Sequence, residues 1–167
     1  MYMWHQKIWR MDVRYPDFDP PRPDFPEIVR RLQEAGIPVM PYVNARLWDE
    51  RADSWLAEDA QRGACRNDRG EIRVEIACEE MRCLHPMDPT VLFWQDKIRD
   101  ICRMLFERVG VQGIYLDQIA AAPPVLDFSE GRSHPRGGGH WWVDGYQQML
   151  GRLHQELIPP GAARFLT

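Results

Sequence analysis

The chain has 167 residues, long enough for one domain with a substantial core, and its 44% hydrophobic and 28% charged shares are those of a globular protein. The net charge of −4 comes from acids and bases mixed along the chain, without the basic patch that nucleic acid or an anionic membrane would need. No apolar run approaches the length of a membrane span, and the opening MYMWHQKIWRMDVRY has no apolar signal core, so the default expectation is cytoplasmic.

Seven Trp and fourteen Pro stand out. Indole rings either fill a core or offer flat platforms on which the apolar C–H faces of sugar rings lie. Four cysteines occupy positions 65, 78, 83 and 102. Cys102 falls on an apolar helical face. Cys65, Cys78, Cys83 and His85 could be written as a zinc set, but no C-x-x-C pair occurs, and the expectation is reduced thiols and no metal.

In chain order, Met1 to Trp4 reads as the end of a short strand. The loop YPDFDPPRPD follows, and the five prolines from 16 to 26 forbid ladder pairing. Asp24-Phe25-Pro26-Glu27 has capping-box spacing, and Phe25, Ile28, Val29, Leu32 and Ala35 form an apolar stripe that Gly36 ends. Ile37 to Val43 is a buried strand interrupted by Pro38 and Pro41. Residues 53–62 suit a short helix, and residues 64–77 a hairpin, with Ile72, Val74 and Ile76 alternating after the NDRG turn.

Thr90 is the expected cap of the next helix, whose stripe is Trp94, Ile98, Ile101, Cys102, Leu105, Phe106 and Val109, with Gly110 just beyond. Gly113-Ile114-Tyr115-Leu116-Asp117 then reads as a buried strand that ends on a carboxylate. A long loop over 118–140 closes with GGGHWW. A last helix runs on Trp142, Tyr146, Met149, Leu150, Leu153 and Leu157, stopped by Pro159 and Pro160, and ARFLT begins another strand.

Strands alternating with helices predict βαβ units and a parallel sheet. Ligands of such sheets bind outside the carboxyl ends of the strands. His5, Asn44, Arg46 and Asp117 all fall at those ends. A charge at the end of an apolar strand is expensive unless it is paired, hydrogen-bonded or open to a cleft. For Asp117 the functional alternative is a carboxylate in a binding site; the plain one is a turn-forming or helix-capping Asp.

The pieces YMWHQ, GIPVMPYVNARLWD, GVQGIYLDQIAAAPP and HPRGGGHWWVDGY resemble consecutive parts of a bacterial glycoside hydrolase-like (β/α)8 barrel family. The resemblance covers nearly the whole chain, from about barrel strand two to the start of strand five. It implies an α/β fold, a partial (half) TIM barrel of about four parallel strands alternating with helices, forming one domain over 1–167 with a small hairpin insertion at about 47–88. It implies that Asp117 is the nucleophile, as in α-amylase-like barrels, and that the general acid/base is a Glu expected just after FLT, where this chain stops. Glycoside hydrolysis normally needs two carboxyl groups, about 5 Å apart for retention; the other acids near strand ends here are Asp49 and Asp127.

Trp4 and His5 resemble the strand-two end of the family, where His either donates to a sugar oxygen or is structural. Tyr42, Asn44 and Arg46 are candidate substrate contacts, as are Gln118, His140 and Trp141, whereas Trp142 lies on the helix stripe and belongs to the core. No cofactor is required. The expected partners are a carbohydrate and, through the open sheet edges of a half barrel, further copies of the chain. Two other functions remain open: a carbohydrate-binding or structural half barrel without chemistry, and a metal-dependent hydrolase using Asp117, His134 and His140, whose H-x5-H spacing is not a helix-face ligand pair.

Overall fold

The computed structural model of the protein describes residues 4–5, 13–75, 84–119 and 122–167. It is a mixed α/β structure in which a parallel sheet packs against helices. Helix α1, Phe25–Glu34, buries Phe25 and Val29 and leaves its charged face in water, where Arg30 links Glu27 and Glu34. Arg30, and next Arg31, hold the Glu27 carboxyl down to about 2. The expected capping box is not made. Asp24 is already helical, at φ −80° and ψ −16°, and its side chain makes no capping hydrogen bond; Oδ1 meets Arg22 Nε at 3.2 Å instead.

Strand β1, Tyr42–Asn44, is shorter than the expected run from Ile37 because Pro38 and Pro41 have no N–H to donate. The preceding residues nevertheless run alongside the sheet, with Val39 O and Pro41 O accepting from Gly113 N and Tyr115 N. Strand β2, Leu47–Asp49, pairs antiparallel with β3, Leu84–Pro86. Between them lie α2, Asp53–Ala57, a 3-10 turn at Ala60–Gly63, and the NDRG turn, over which Arg66 and Ile72 bridge. Ile76, Cys78 and Cys83 fall outside the described residues.

Helix α3, Leu92–Met104, continues through a π turn at Leu105–Val109, and the seven positions of the expected stripe are all buried. Each such large side chain contributes about 1.5–3 kcal/mol of hydrophobic stabilisation. Gly110 ends it at φ +82°, a left-handed conformation in which glycine carries no Cβ penalty. Thr90 is not the cap: Val91 holds that position without a side-chain bond, and Thr90 Oγ1 donates to Asp88 Oδ1 at 2.7 Å.

Strand β4, Gly113–Asp117, has the bounds the sequence indicated. Helix α4, Trp141–Leu157, buries Trp142, Tyr146, Met149, Leu153 and Leu157, and β5 is Phe165–Leu166. The sheet order is β1-β4-β5, all parallel, so β4 lies between the strands that precede and follow it. Ile114, Leu116 and Val43 turn inward against the helices, while Tyr115 on the opposite face of β4 is 40% exposed. The first expected strand lies outside the described residues apart from Trp4, and among the described residues no helix is long and apolar enough to cross a membrane.

Candidate functional site

Asp117 ends the central strand of the sheet, in register with Asn44 on β1. Side chains alternate along a strand, so Asp117 and Tyr115 share a face. The Tyr115 hydroxyl donates to Asp117 Oδ1 at 2.9 Å. The strand stops at Gln118, whose φ of +65° turns the chain away; for a residue with a side chain this conformation is uncommon and is often found at functional sites. The Gln118 Oε1 atom is buried without a hydrogen-bond partner among the described residues. Asp117, Gln118 and Ile119 line a cleft of about 330 Å³ with Leu150 of α4 and with Leu166 and Thr167 at the end of β5. The acid at the end of the apolar strand therefore lies among the residues lining a cleft, and among the described residues its hydrogen-bond donor is the Tyr115 hydroxyl.

The other sequence candidates divide. Tyr42 faces the same side as Tyr115, with ring centroids 5.9 Å apart. Asn44 is fully buried, and its Oδ1 accepts from Arg46 N at 2.9 Å and Leu47 N at 3.0 Å, which fixes the turn from β1 into β2. Arg46, expected as a substrate contact, is 1% exposed and gives Nε and Nη2 to Glu75 Oε2, with Trp142 5.1 Å below the guanidinium. Trp4 and His5 are buried; Trp4 stacks on Phe18 and donates Nε1 to Tyr42 O, and His5 lies against Trp4, Tyr15 and Phe18. Trp141 is buried at 6% exposure rather than standing open as a platform, and it stacks on His134 at 3.8 Å. His140 is exposed at the head of α4.

The metal-hydrolase alternative placed His134 with Asp117, but the structure draws it elsewhere. His134 Nε2 is 3.1 Å from Asp88 Oδ2 and 3.8 Å from Asp127 Oδ2. Its Nδ1 lies 2.8 Å from Pro135 O, so each ring nitrogen faces an oxygen. Arg132 Nε reaches both carboxylates at 3.2 Å, and Nη1 and Nη2 donate to Arg62 O and Ala64 O. Two buried aspartates thus meet the Arg132 guanidinium and the His134 ring. Asp88, Asp127 and His134 are also the group of possible metal-ligating side chains found among the described residues. Yet Arg132 already sits between the carboxylates, and the cluster works as a lock that ties the long loop to residues 62–66 and 88.

Asp127 shows the balance of forces. Burial works to raise its carboxyl, but donors from Arg66 N, Ser129 Oγ and Ser129 N, with the charge of Arg132, hold it below the ordinary carboxylate value. Asp49, the other acid near a strand end, is also fully buried and accepts from Arg14 N and from Arg51. Both acids are consumed by structure. Sequence reasoning missed the lock, although Asp88-x-Thr90 and Asp127-x-Ser129 have the spacing of an Asp that bonds the backbone two residues on. The Cys65 thiol is pushed well up by burial and then by Asp127 and Asp88, and Cys102 is pushed up to about 12 by burial alone.

A parallel sheet flanked by helices, with a carboxylate at the mouth of its central strand, defines a class of α/β domain rather than one protein. The sequence matches the family described as "Domain of unknown function (DUF6259)" over residues 1–167, and the chain belongs to that family. It is 31% identical over 159 residues to "Putative glycoside hydrolase 22789" of Monosiga brevicollis, covering 90% of this chain and 13% of the relative. It is 29% identical over 163 residues to "Putative glycoside hydrolase" of Bacteroides thetaiotaomicron, covering 97% of this chain and 24% of the relative. The chain thus spans less than a quarter of either curated relative.

Similar solved structures include a GH31 family sulfoquinovosidase from E. rectale in complex with an aza-sugar inhibitor, at TM-score 0.62 and 15% identity over 86% of this chain and 21% of that one. An α-galactosidase from Thermus thermophilus in complex with stachyose matches at TM-score 0.58 and 17% identity, over 89% of this chain and 28% of that one. At such identities these likenesses speak to fold. The chain is thus similar in sequence to proteins named as putative glycoside hydrolases, and in fold to solved glycosidases.

Proposed function

We propose that this chain is part of a glycoside hydrolase catalytic barrel acting on a carbohydrate, with Asp117 as the nucleophile. The observation that carries the reading is the Asp117 carboxylate at the carboxyl end of the central parallel strand, opening on the 330 Å³ cleft beside Gln118. In the mechanism, Asp117 attacks the anomeric carbon as the glycosidic C–O bond breaks, and the leaving oxygen takes a proton from a general acid. Water then hydrolyses the glycosyl ester, the second group acting as base. That group is a Glu supplied by sequence outside this chain, since Asp49 and Asp127 are committed to structural bonds. Gln118, with its unpartnered Oε1, is suited to accept from a sugar hydroxyl, and Tyr42 borders the same face. No metal or organic cofactor enters this scheme.

The domain is then one half of a (β/α)8 barrel over 1–167, with residues 47–88 as an insertion on it. One observation favours a second reading, a carbohydrate-binding or structural half barrel that self-associates. Met40 and Phe165 are each 44% exposed and Tyr115 is 40% exposed, apolar surface on and next to the sheet that a further barrel half or a second copy would cover. The deciding experiment treats the chain with 2-deoxy-2-fluoro glycosides bearing good leaving groups, with the particle mass followed by light scattering. A stable adduct mapped to Asp117 supports catalysis. Sugar binding in an oligomer, without adduct or turnover, supports the second reading instead.

A further inference from the structure

We propose that Tyr115 is the positioning residue for Asp117: its hydroxyl holds Oδ1 and thereby presents Oδ2 to the cleft as the attacking oxygen. The inference deepens the proposed reading of Asp117 and rests on it. Two residues apart on one strand, Tyr115 and Asp117 project from the same face, and the phenol lies one step below the carboxylate. The donor–acceptor distance is 2.9 Å, and no other hydrogen bond among the described residues reaches either carboxylate oxygen. A free carboxylate rotates about its terminal torsion in a broad, twofold well. One fixed oxygen removes that freedom and leaves the other defined.

The tyrosine is itself fixed. Its ring meets Tyr42 on the neighbouring strand, with centroids 5.9 Å apart. Apolar filling of the sheet face would be served equally by Phe; only the hydroxyl adds a directed donor to an ionised acceptor, the stronger kind of hydrogen bond. The bond is reciprocal. Hydrogen bonding to Asp117, and next its negative charge, raise the Tyr115 phenol above its ordinary value of 10.0.

The test has two arms on the full chain. In the first, the phenol of Tyr115 is titrated by ultraviolet difference absorption, using Tyr115→Phe to assign its signal, in wild type and in Asp117→Asn. The expected result is a midpoint that falls toward 10.0 in Asp117→Asn; an unchanged midpoint overturns the pairing. In the second, a carbocyclic epoxide that mimics a sugar ring is offered at a series of pH values. Oδ2 forms an ester C–O bond as the epoxide C–O bond breaks, and the released oxygen takes a proton from water. Tyr115→Phe, checked for fold by circular dichroism, is expected to label about tenfold more slowly or worse, with an altered pH profile. Equal rates and equal profiles overturn the positioning role while leaving Asp117 as nucleophile. A wild-type chain that takes no label at Asp117 refutes the nucleophile reading and the positioning role with it, whatever the titration shows.

Discussion

Asn44 and Asp117 are register partners at the carboxyl ends of adjacent parallel strands, and they spend their oxygens in opposite ways. Asn44 turns its oxygen inward to two backbone amides, whereas among the described residues Asp117 meets a single hydroxyl and a cleft. The same strand-end address therefore supplies one structural residue and one available carboxylate. Replacing Asn44 with Ala leaves the amides of Arg46 and Leu47 buried without acceptors, a loss of about 2–4 kcal/mol. Urea denaturation should show a lower midpoint for Asn44→Ala than for Asn44→Asp, which keeps an oxygen in place. Equal midpoints for wild type and Asn44→Ala would remove the structural role assigned to this residue.

The Asp127 lock makes stability depend on acid. Its folded carboxyl is held below the ordinary value, so its contribution is fully present above about 3.8 and is lost as pH falls through the lower, folded value. Asp127→Asn keeps an acceptor but removes one of the two buried carboxylate charges that face Arg132, and should be less stable at neutral pH by about 2–4 kcal/mol. The gap between wild type and variant in urea midpoint should narrow as pH is lowered from 7 toward 3. A gap independent of pH would mean that the charge of Asp127 adds nothing.

What was legible in the sequence was whatever rests on local pattern. β4 was readable because Gly113 and Asp117 bound the apolar run Ile114-Tyr115-Leu116, and α3 and α4 because their stripes repeat at helical spacing. The choice between site and scaffold was not legible where the partner is distant in sequence. Arg46 reads as a substrate contact until Glu75, 29 positions on, appears beside it, and Trp141 reads as a platform until His134 covers it. Helix caps failed for a related reason: Thr90 has the right chemistry, but Asp88, two residues earlier, claims its hydroxyl. Asp117 could be read because nothing in the surrounding sequence offered it a cation, and among the described residues its side chain meets the Tyr115 hydroxyl.

Helix α4 is seated so closely that one missing Cβ sets its height. A methyl group at Gly145 would lie 2.8 Å from the Pro89 carbonyl carbon and 2.9 Å from Thr90 N. Both are backbone atoms, so the segment leading into α3 would have to move. Gly145→Ala gains intrinsic helix propensity of about 1 kcal/mol, but the overpacking, about 1–3 kcal/mol, should outweigh it. The expected outcome is a lower Tm for Gly145→Ala, whereas Gly151→Ala on the open side of the same helix should raise it, since nothing lies within 4 Å there. A Tm gain at both positions would show that the 89–90 segment yields freely.

The two helix- and strand-borne phenols, Tyr146 and Tyr115, should respond oppositely to loss of their hydroxyls. Tyr146 is 3% exposed and its OH has no hydrogen-bond partner among the described residues, so the group was taken from water without compensation there. Burial accordingly drives its phenol well above the ordinary range. Deleting an unsatisfied buried hydroxyl while keeping the ring removes a desolvation penalty of about 1–2 kcal/mol and leaves the packing against Trp142 in place. Tyr146→Phe should therefore melt at or above the wild-type temperature without changing any reaction at Asp117. Tyr115→Phe, on the exposed sheet face, should leave Tm nearly unchanged while slowing chemistry at Asp117. A fall in Tm for Tyr146→Phe would reveal a partner for its hydroxyl, such as a buried water bridging toward the unpartnered Nη1 of Arg46.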